Sequence, residues 1–231
     1  MRDRWRVAIL DSGLHDLTAL LAPAASCRFS DDGRAVRCSP VVPDPLGHGT
    51  SVAEVICGNR SAARSCDLFV GQVLDHRGVT TAAALAAAIH WSVEVGADLI
   101  HMSLGLREDR QTLAEAVAVA VAAGSIIVAS TPARGAGTYP ARYPEVIRAT
   151  GDARCRWDEI SDLHSTQADF GGCPGATRLG GASLGAAHVT RFLVEHVAPG
   201  LGTAAVRLQL GEMARYTGIE DRSIDPLCGR V

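Results

Sequence analysis

The sequence has no lysine: all 22 of its basic residues are arginine, set against 25 acidic residues for a net charge of −3. Together with the abundance of alanine, this reads as compositional bias. Neither sign of charge gathers into a run, so nucleic acid and anionic membrane surfaces are not expected partners. Aromatic residues are scarce, at 4%. No apolar stretch approaches the ~18–20 residues that would cross a membrane. The opening "MRDRWRVAIL" has too short an apolar run for a secretory signal and no small-residue cleavage site, so a cytoplasmic protein is expected. The seven cysteines are odd in number and irregularly spaced, and no CxxC occurs. No metal or other cofactor is expected.

What remains is a core-forming composition, 47% hydrophobic and 20% charged over 231 residues. No linker or internal repeat divides it, and a single domain over 1–231 without a propeptide is expected. Short apolar runs alternate with helix-length segments. Residues 4–10, 66–74, 97–105, 125–130 and 145–151 read as strands. Residues 80–96 and 111–124 read as helices closed by Gly96 and Gly124, with a further helix opened by Ser183 and a last one over about 202–217. Residues 14–22 read as helical or irregular. The alternation predicts an α/β fold, with a mostly parallel central sheet flanked by helices on both faces. In such sheets ligands bind beyond the carboxyl ends of the strands. "CRFSDDGRAVRC" reads as a hairpin turning at Asp32-Gly33, a register that sets Cys27 opposite Cys38. A cross-strand disulfide fits there; free thiols suit a cytoplasmic protein and are the favoured expectation.

Three segments gather chemistry. "VAILDSGL" puts Asp11 at a strand end, "DPLGHGTSVA" puts His48 at a helix start, and "LGGASLGAAHV" puts Ser183 at another, crowded by small residues. A serine triad needs a hydroxyl, an imidazole that takes its proton, and a carboxylate that fixes the imidazole's tautomer. Each segment alone has an ordinary reading as a turn or a cap; the three in this order on an α/β pattern are hard to obtain by chance.

These segments resemble the motifs of the subtilisin-like serine proteases. "HMSLG", "TYPARYPEVIRATG" and "ADFGGCPG" also resemble segments of that family, so the likeness runs over about residues 5–217. The resemblance implies a subtilisin-like three-layer fold and a serine endopeptidase. Ser183 would be the nucleophile, His48 the general base and acid, and Asp11 the orienting carboxylate. The N–H of Ser183 would serve the oxyanion. Met102, Ser103, Leu104 and Gly105 would pair with a peptide or protein substrate in extended conformation, with Gly105 leaving room beside the cut bond.

The family's oxyanion asparagine is missing: "ASTPARGAG" stands in its place and no Asn occurs in 125–150. Thr131 is the candidate replacement, since Pro132 has no N–H. His101 stands where the family carries Asn, and reads as a core or cleft-wall histidine. These departures and the chain's compactness fit a small cytoplasmic enzyme that processes a precursor or leader peptide, with a partner protein as a further prospect. The alternative is a peptide-binding pseudoprotease.

Overall fold

The computed structural model describes residues 4–15, 23–57, 66–175 and 180–219. Its strands are β1 (Trp5–Asp11), β2 (Ala25–Asp31), β3 (Val36–Ser39), β4 (Cys66–Gln72), β5 (Leu99–Met102), β6 (Ile126–Ser130), β7 (Ile147–Gly151), β8 (Ile160–Asp162), β9 (Phe170–Gly172) and β10 (Tyr216–Thr217). The helices are α1 (His48–Cys57), α2 (Ala82–Glu94), α3 (Gln111–Ala122), α4 (Ala182–His196) and α5 (Thr203–Met213).

Among the described residues one sheet contains every strand, in the order β10-β8-β9-β7-β6-β5-β1-β4-β2-β3. Pairing is parallel except for β2–β3 and β8–β9. Successive side chains of a strand point to opposite faces, and the core divides accordingly. Val7, Ile9, Leu99, Val128 and Ile147 meet α1 and α4 through Val52, Ile56, Ala186, Val189 and Leu193. Ala8, Leu10, Ile100, Met102 and Ile127 meet α2 and α3 through Leu85, Ile89, Leu113 and Val117. Both faces are covered, which is why these strands read as unbroken apolar runs.

After β1 the chain lays down β2, β3 and β4 on one side of it, then crosses to β5 on the other. Strand order therefore reverses at β1, and the ends of β1 and β5 lie side by side at that crevice. Thr81 caps α2 by accepting the Ala84 N–H at 3.1 Å. Gly96 and Gly124 end α2 and α3 with φ of +70° and +89°.

The hairpin register differs from the expected one. Phe29, not Cys27, pairs with Cys38, and the loop spans four residues because Asp32 accepts the N–H groups of Arg34 and Ala35. Cys27 and Cys38 nevertheless form a disulfide, against the expectation of free thiols. The last helix stops at Met213 and the chain turns into β10, pairing with β8. Most of the 14–22 segment lies outside the described residues.

Candidate active site

Asp11 closes β1 and is 1% exposed. Its Oδ1 accepts the Ser12 N–H at 2.7 Å and the His48 Nδ1–H at 2.7 Å. A buried carboxylate can only accept, so this bond places the imidazole proton on Nδ1 and leaves Nε2 as the basic nitrogen. The Asp11 bond raises the His48 pKa; burial works against it, and the charges of Asp11 and Asp44 add to the rise.

The His48 motif is built for close approach. A Cβ on Gly49 would lie 2.4 Å from the Gly13 carbonyl oxygen, so α1 can start against the end of β1 only with glycine there. The Gly49 N–H bonds Ser12 Oγ at 2.9 Å. Asp44 is 1% exposed and holds the helix start: it accepts the N–H groups of Leu46, Gly47 and Thr50 and the Thr50 hydroxyl. Burial pushes its pKa up, but these bonds, those from Thr50 foremost, hold it below the usual carboxylate range. Gln72 ties the loop after Asp11 to Val42, donating to the carbonyls of Ser12 and Val42 and accepting the Val42 N–H. Sequence reading passed over Asp44 and Gln72. Asp-Pro ahead of Gly-His-Gly-Thr is a capping signal for Asp44; Gln72 has none, because its partners are 30 and 60 residues away.

Ser183 is the second residue of α4. Gly181 precedes the helix at φ +86° and offers no side-chain cap, so no capping side chain covers the first-turn N–H groups. These form the positive end of the helix, suited to a developing anion. The small residues after Ser183 serve packing, while Gly181 and Ala182 before it line an open cavity. A Cβ on Gly185 would sit 2.3 Å from the Thr150 carbonyl oxygen of β7, and Ala186 and Ala187 are fully buried. The Ser183 hydroxyl donates to the Ser103 carbonyl at 3.2 Å. Asp11 and His48 are thus joined directly, whereas Ser183 is bonded to the end of β5 and not to the imidazole.

The cleft-strand residues are less uniform than expected. Met102 is fully buried on the α2–α3 face. Ser103 faces α4, bonding its Ser183 residue, and Leu104 and Gly105 follow beyond the strand. The space beside Gly105 is filled: a Cβ there would lie 2.3 Å from Thr138 Oγ1, so the glycine accommodates Thr138. Thr131 is 2% exposed with its N–H bonded to the Ala149 carbonyl at 2.9 Å. The cavity of about 670 Å³ beside Gly181 and Ala182 is lined instead by Ala133 and Arg134 of that loop. His188 is buried edge-on to Trp157 at 4.4 Å between ring centres.

Residues 3–200 match the sequence model of the subtilase family. The chain belongs to the subtilase family. It is 34% identical over 150 residues to a thermostable alkaline protease of Halalkalibacterium halodurans, covering 62% of this chain and 40% of that protein. It is 32% identical over 150 residues to alkaline elastase YaB of a Bacillus species, covering 62% of this chain and 38% of the relative. With subtilisin Savinase of Lederbergia lenta it shares 28% identity over 236 residues, covering 92% and 84% of the two chains. The match thus spans well under half of the first two relatives.

Proposed function

We propose that this subtilase domain is a serine endopeptidase working through an acyl-enzyme on Ser183. The observation that carries the reading is the buried Asp11 carboxylate holding His48 Nδ1 at 2.7 Å, beside a serine on an uncapped helix start that is bonded to the residue following the neighbouring strand β5. An extended peptide lying along residues 103–105 donates an N–H to the Ser103 carbonyl. That donor competes with the Ser183 hydroxyl, which turns about its Cα–Cβ bond toward His48. Nε2 takes the proton as Oγ attacks the substrate carbonyl, and the oxyanion forms against the Ser183 N–H. The imidazolium then protonates the leaving amine, and water activated by the same Nε2 hydrolyses the ester.

The absence of asparagine from the 131–134 loop supports a slow, selective enzyme, one that processes a precursor or leader peptide, over a degradative one; a cytoplasmic location is proposed with it. Loss of that donor in a subtilisin costs about 10²–10³ in turnover, a deficit that a processing step tolerates. The Cys27–Cys38 disulfide is what the cytoplasmic placement must survive, since cytosolic thiol pools reduce such bridges. Thiols alkylated in intact cells before lysis should trap Cys27 and Cys38 free, and a bridge that survives in the whole cellular pool of the protein would argue for an oxidising compartment and against the placement.

A fluorophosphonate probe tests the catalytic reading. Labelling between pH 6 and 9 that disappears in Ser183→Ala is expected. Wild-type protein that stays unlabelled while a bound peptide persists intact would establish the other reading, a peptide-binding pseudoprotease. That reading draws on the hydroxyl's bond to Ser103 and on the missing asparagine.

A further inference from the structure

His101 is the third residue of β5, on the face that meets α4, and it is fully buried. Its Nδ1 lies 2.8 Å from Thr190 Oγ1 and its Nε2 lies 2.7 Å from Ser103 Oγ. Ser103 Oγ in turn donates to the Ser183 carbonyl at 3.0 Å. A carbonyl has no proton to give, and this fixes the direction of every bond in the chain. The Ser103 hydrogen goes to the carbonyl, so Ser103 Oγ accepts from His101 Nε2–H. His101 Nδ1 is then the acceptor, and the Thr190 hydroxyl donates to it. The neutral imidazole is fully satisfied by this arrangement. Thr190 lies seven residues after Ser183, two turns along the same face of α4. The return bond, from the Ser183 hydroxyl to the Ser103 carbonyl, ties the same two residues a second time.

We propose that His101 is a positioning residue for the nucleophile: with Ser103 and Thr190 it clamps the first turns of α4 to the end of β5, so that Ser183 presents its hydroxyl and N–H to the cleft. This rests on the endopeptidase reading. The ring does no acid–base work. Burial, with the nearby charge of His48 adding, pushes its pKa down to about 3, so it stays neutral wherever the enzyme would operate. Its contribution is geometric, and in a buried chain of hydrogen bonds each member polarises the next.

The test compares His101→Leu, Ser103→Ala, their double variant and His101→Asn, in the full chain, by steady-state peptide cleavage and by the rate of fluorophosphonate labelling of Ser183. A displacement of the nucleophile of about 1 Å is worth about 10² in rate. Each single variant should lose about 10²-fold in kcat with KM little changed, because the lost interaction serves the transition state. The double variant should lose no more than the worse single, because His101 acts through Ser103. His101→Asn, which can donate to Ser103 and accept from Thr190, should recover most of the loss. The acid limb of the pH profile, set by His48, should not move.

Losses that multiply in the double variant would overturn the proposal, as would a fall in melting temperature with kcat intact. A displaced acid limb would also overturn it, by making His101 a titrating participant. Should His101→Leu not fold, Ser103→Ala and Thr190→Val carry the same comparison, with two contacts and one contact of the chain removed. Wild-type protein that never acylates sinks the endopeptidase reading and this inference together. Variants that acylate at the wild-type rate sink this inference alone.

Discussion

Replacing Gly185 by alanine should damage both the fold and the chemistry. The added Cβ would lie 2.3 Å from the Thr150 carbonyl oxygen and 2.5 Å from both the Cα and the N of Gly151. All three atoms belong to the backbone of β7, an interior strand paired on both sides, and none can swing aside as a side-chain end could. The approach is tight from the other strand as well, since a Cβ on Gly172 of β9 would meet the Gly185 carbonyl oxygen at 2.5 Å. Helix α4 must therefore lift from the sheet by roughly 1 Å at its first turn, a displacement of the kind that costs about 10² in rate when it reaches a catalytic group. Overpacking of this sort costs about 1–3 kcal/mol. In a chain of this size each kcal/mol is worth about 2–4 °C, so the melting temperature should fall by about 2–12 °C. Ser183 lies in that same turn, and kcat should drop by about two orders of magnitude. KM should change less, because residues 103–105 do not ride on α4. Gly202→Ala is the control: its φ is −78° and nothing lies within 4 Å of the new methyl. Calorimetry and peptide cleavage read the two effects. A Gly185→Ala protein with the melting temperature and kcat of wild type would mean that α4 is not seated on β7 in this way.

Asp11→Asn removes the charge that orients His48 and stabilises its protonated form; peptide cleavage should fall by about 10⁴-fold with folding retained, the scale set by the same exchange in another serine triad. The Asp11 bond and the charges of Asp11 and Asp44 raise the His48 pKa, and the base must be neutral to act, so the acid limb of kcat/KM should lie above the ordinary 6.5. Asp44→Asn should move that limb to lower pH and cost about 1 kcal/mol through the weakened helix start; a limb that stays in place would remove Asp44 from the electrostatics. Ala133→Asn places an amide donor in the wall of the cavity beside Gly181 and Ala182 and should raise kcat by about 10-fold or more; an unchanged kcat would mean that the loop does not face the oxyanion.

The parts of the site legible in the sequence are those whose reason is local. Asp11, His48 and Ser183 sit at the ends of elements that the pattern itself delimits. β1 is a continuous apolar run because helices cover it on both faces, and α2 and α3 announce their ends by glycine. The hairpin register was not legible, because Asp32 bonds two backbone N–H groups ahead of it and so widens the loop beyond the two residues that Asp-Gly suggests. β8 and β9, three residues each, are too short to carry a period. The glycines and alanines around Ser183 were legible as a demand for close approach. What approaches at Gly185 is the backbone of β7, and pattern alone does not separate a strand from a substrate. His101 was legible as a buried histidine but not as a link, since its partner Thr190 is 89 residues away.

These non-local contacts bear on the missing asparagine. A side-chain amide at the oxyanion site tolerates some error in the helix, because it can adjust its own torsions. A backbone N–H cannot; it points where α4 points. With Thr131 buried, its N–H bonded to β7, and Ala133 and Arg134 at the cavity wall, no side-chain amide of residues 131–134 stands ready to share the charge. On the proposed mechanism, stabilisation of the oxyanion then rests chiefly on the first-turn N–H groups of α4, and its size depends on how firmly that turn is held. Gly185 seats the turn on β7 from below, and the Thr190–His101–Ser103 chain holds it against β5 from the side. On this account the two supports compensate for the lost donor by preorganisation, which is where hydrogen bonds to a developing charge gain most of their effect. It follows that Ala133→Asn should restore more activity to Ser103→Ala than it adds to wild type, because a flexible donor matters most where the rigid one has been loosened.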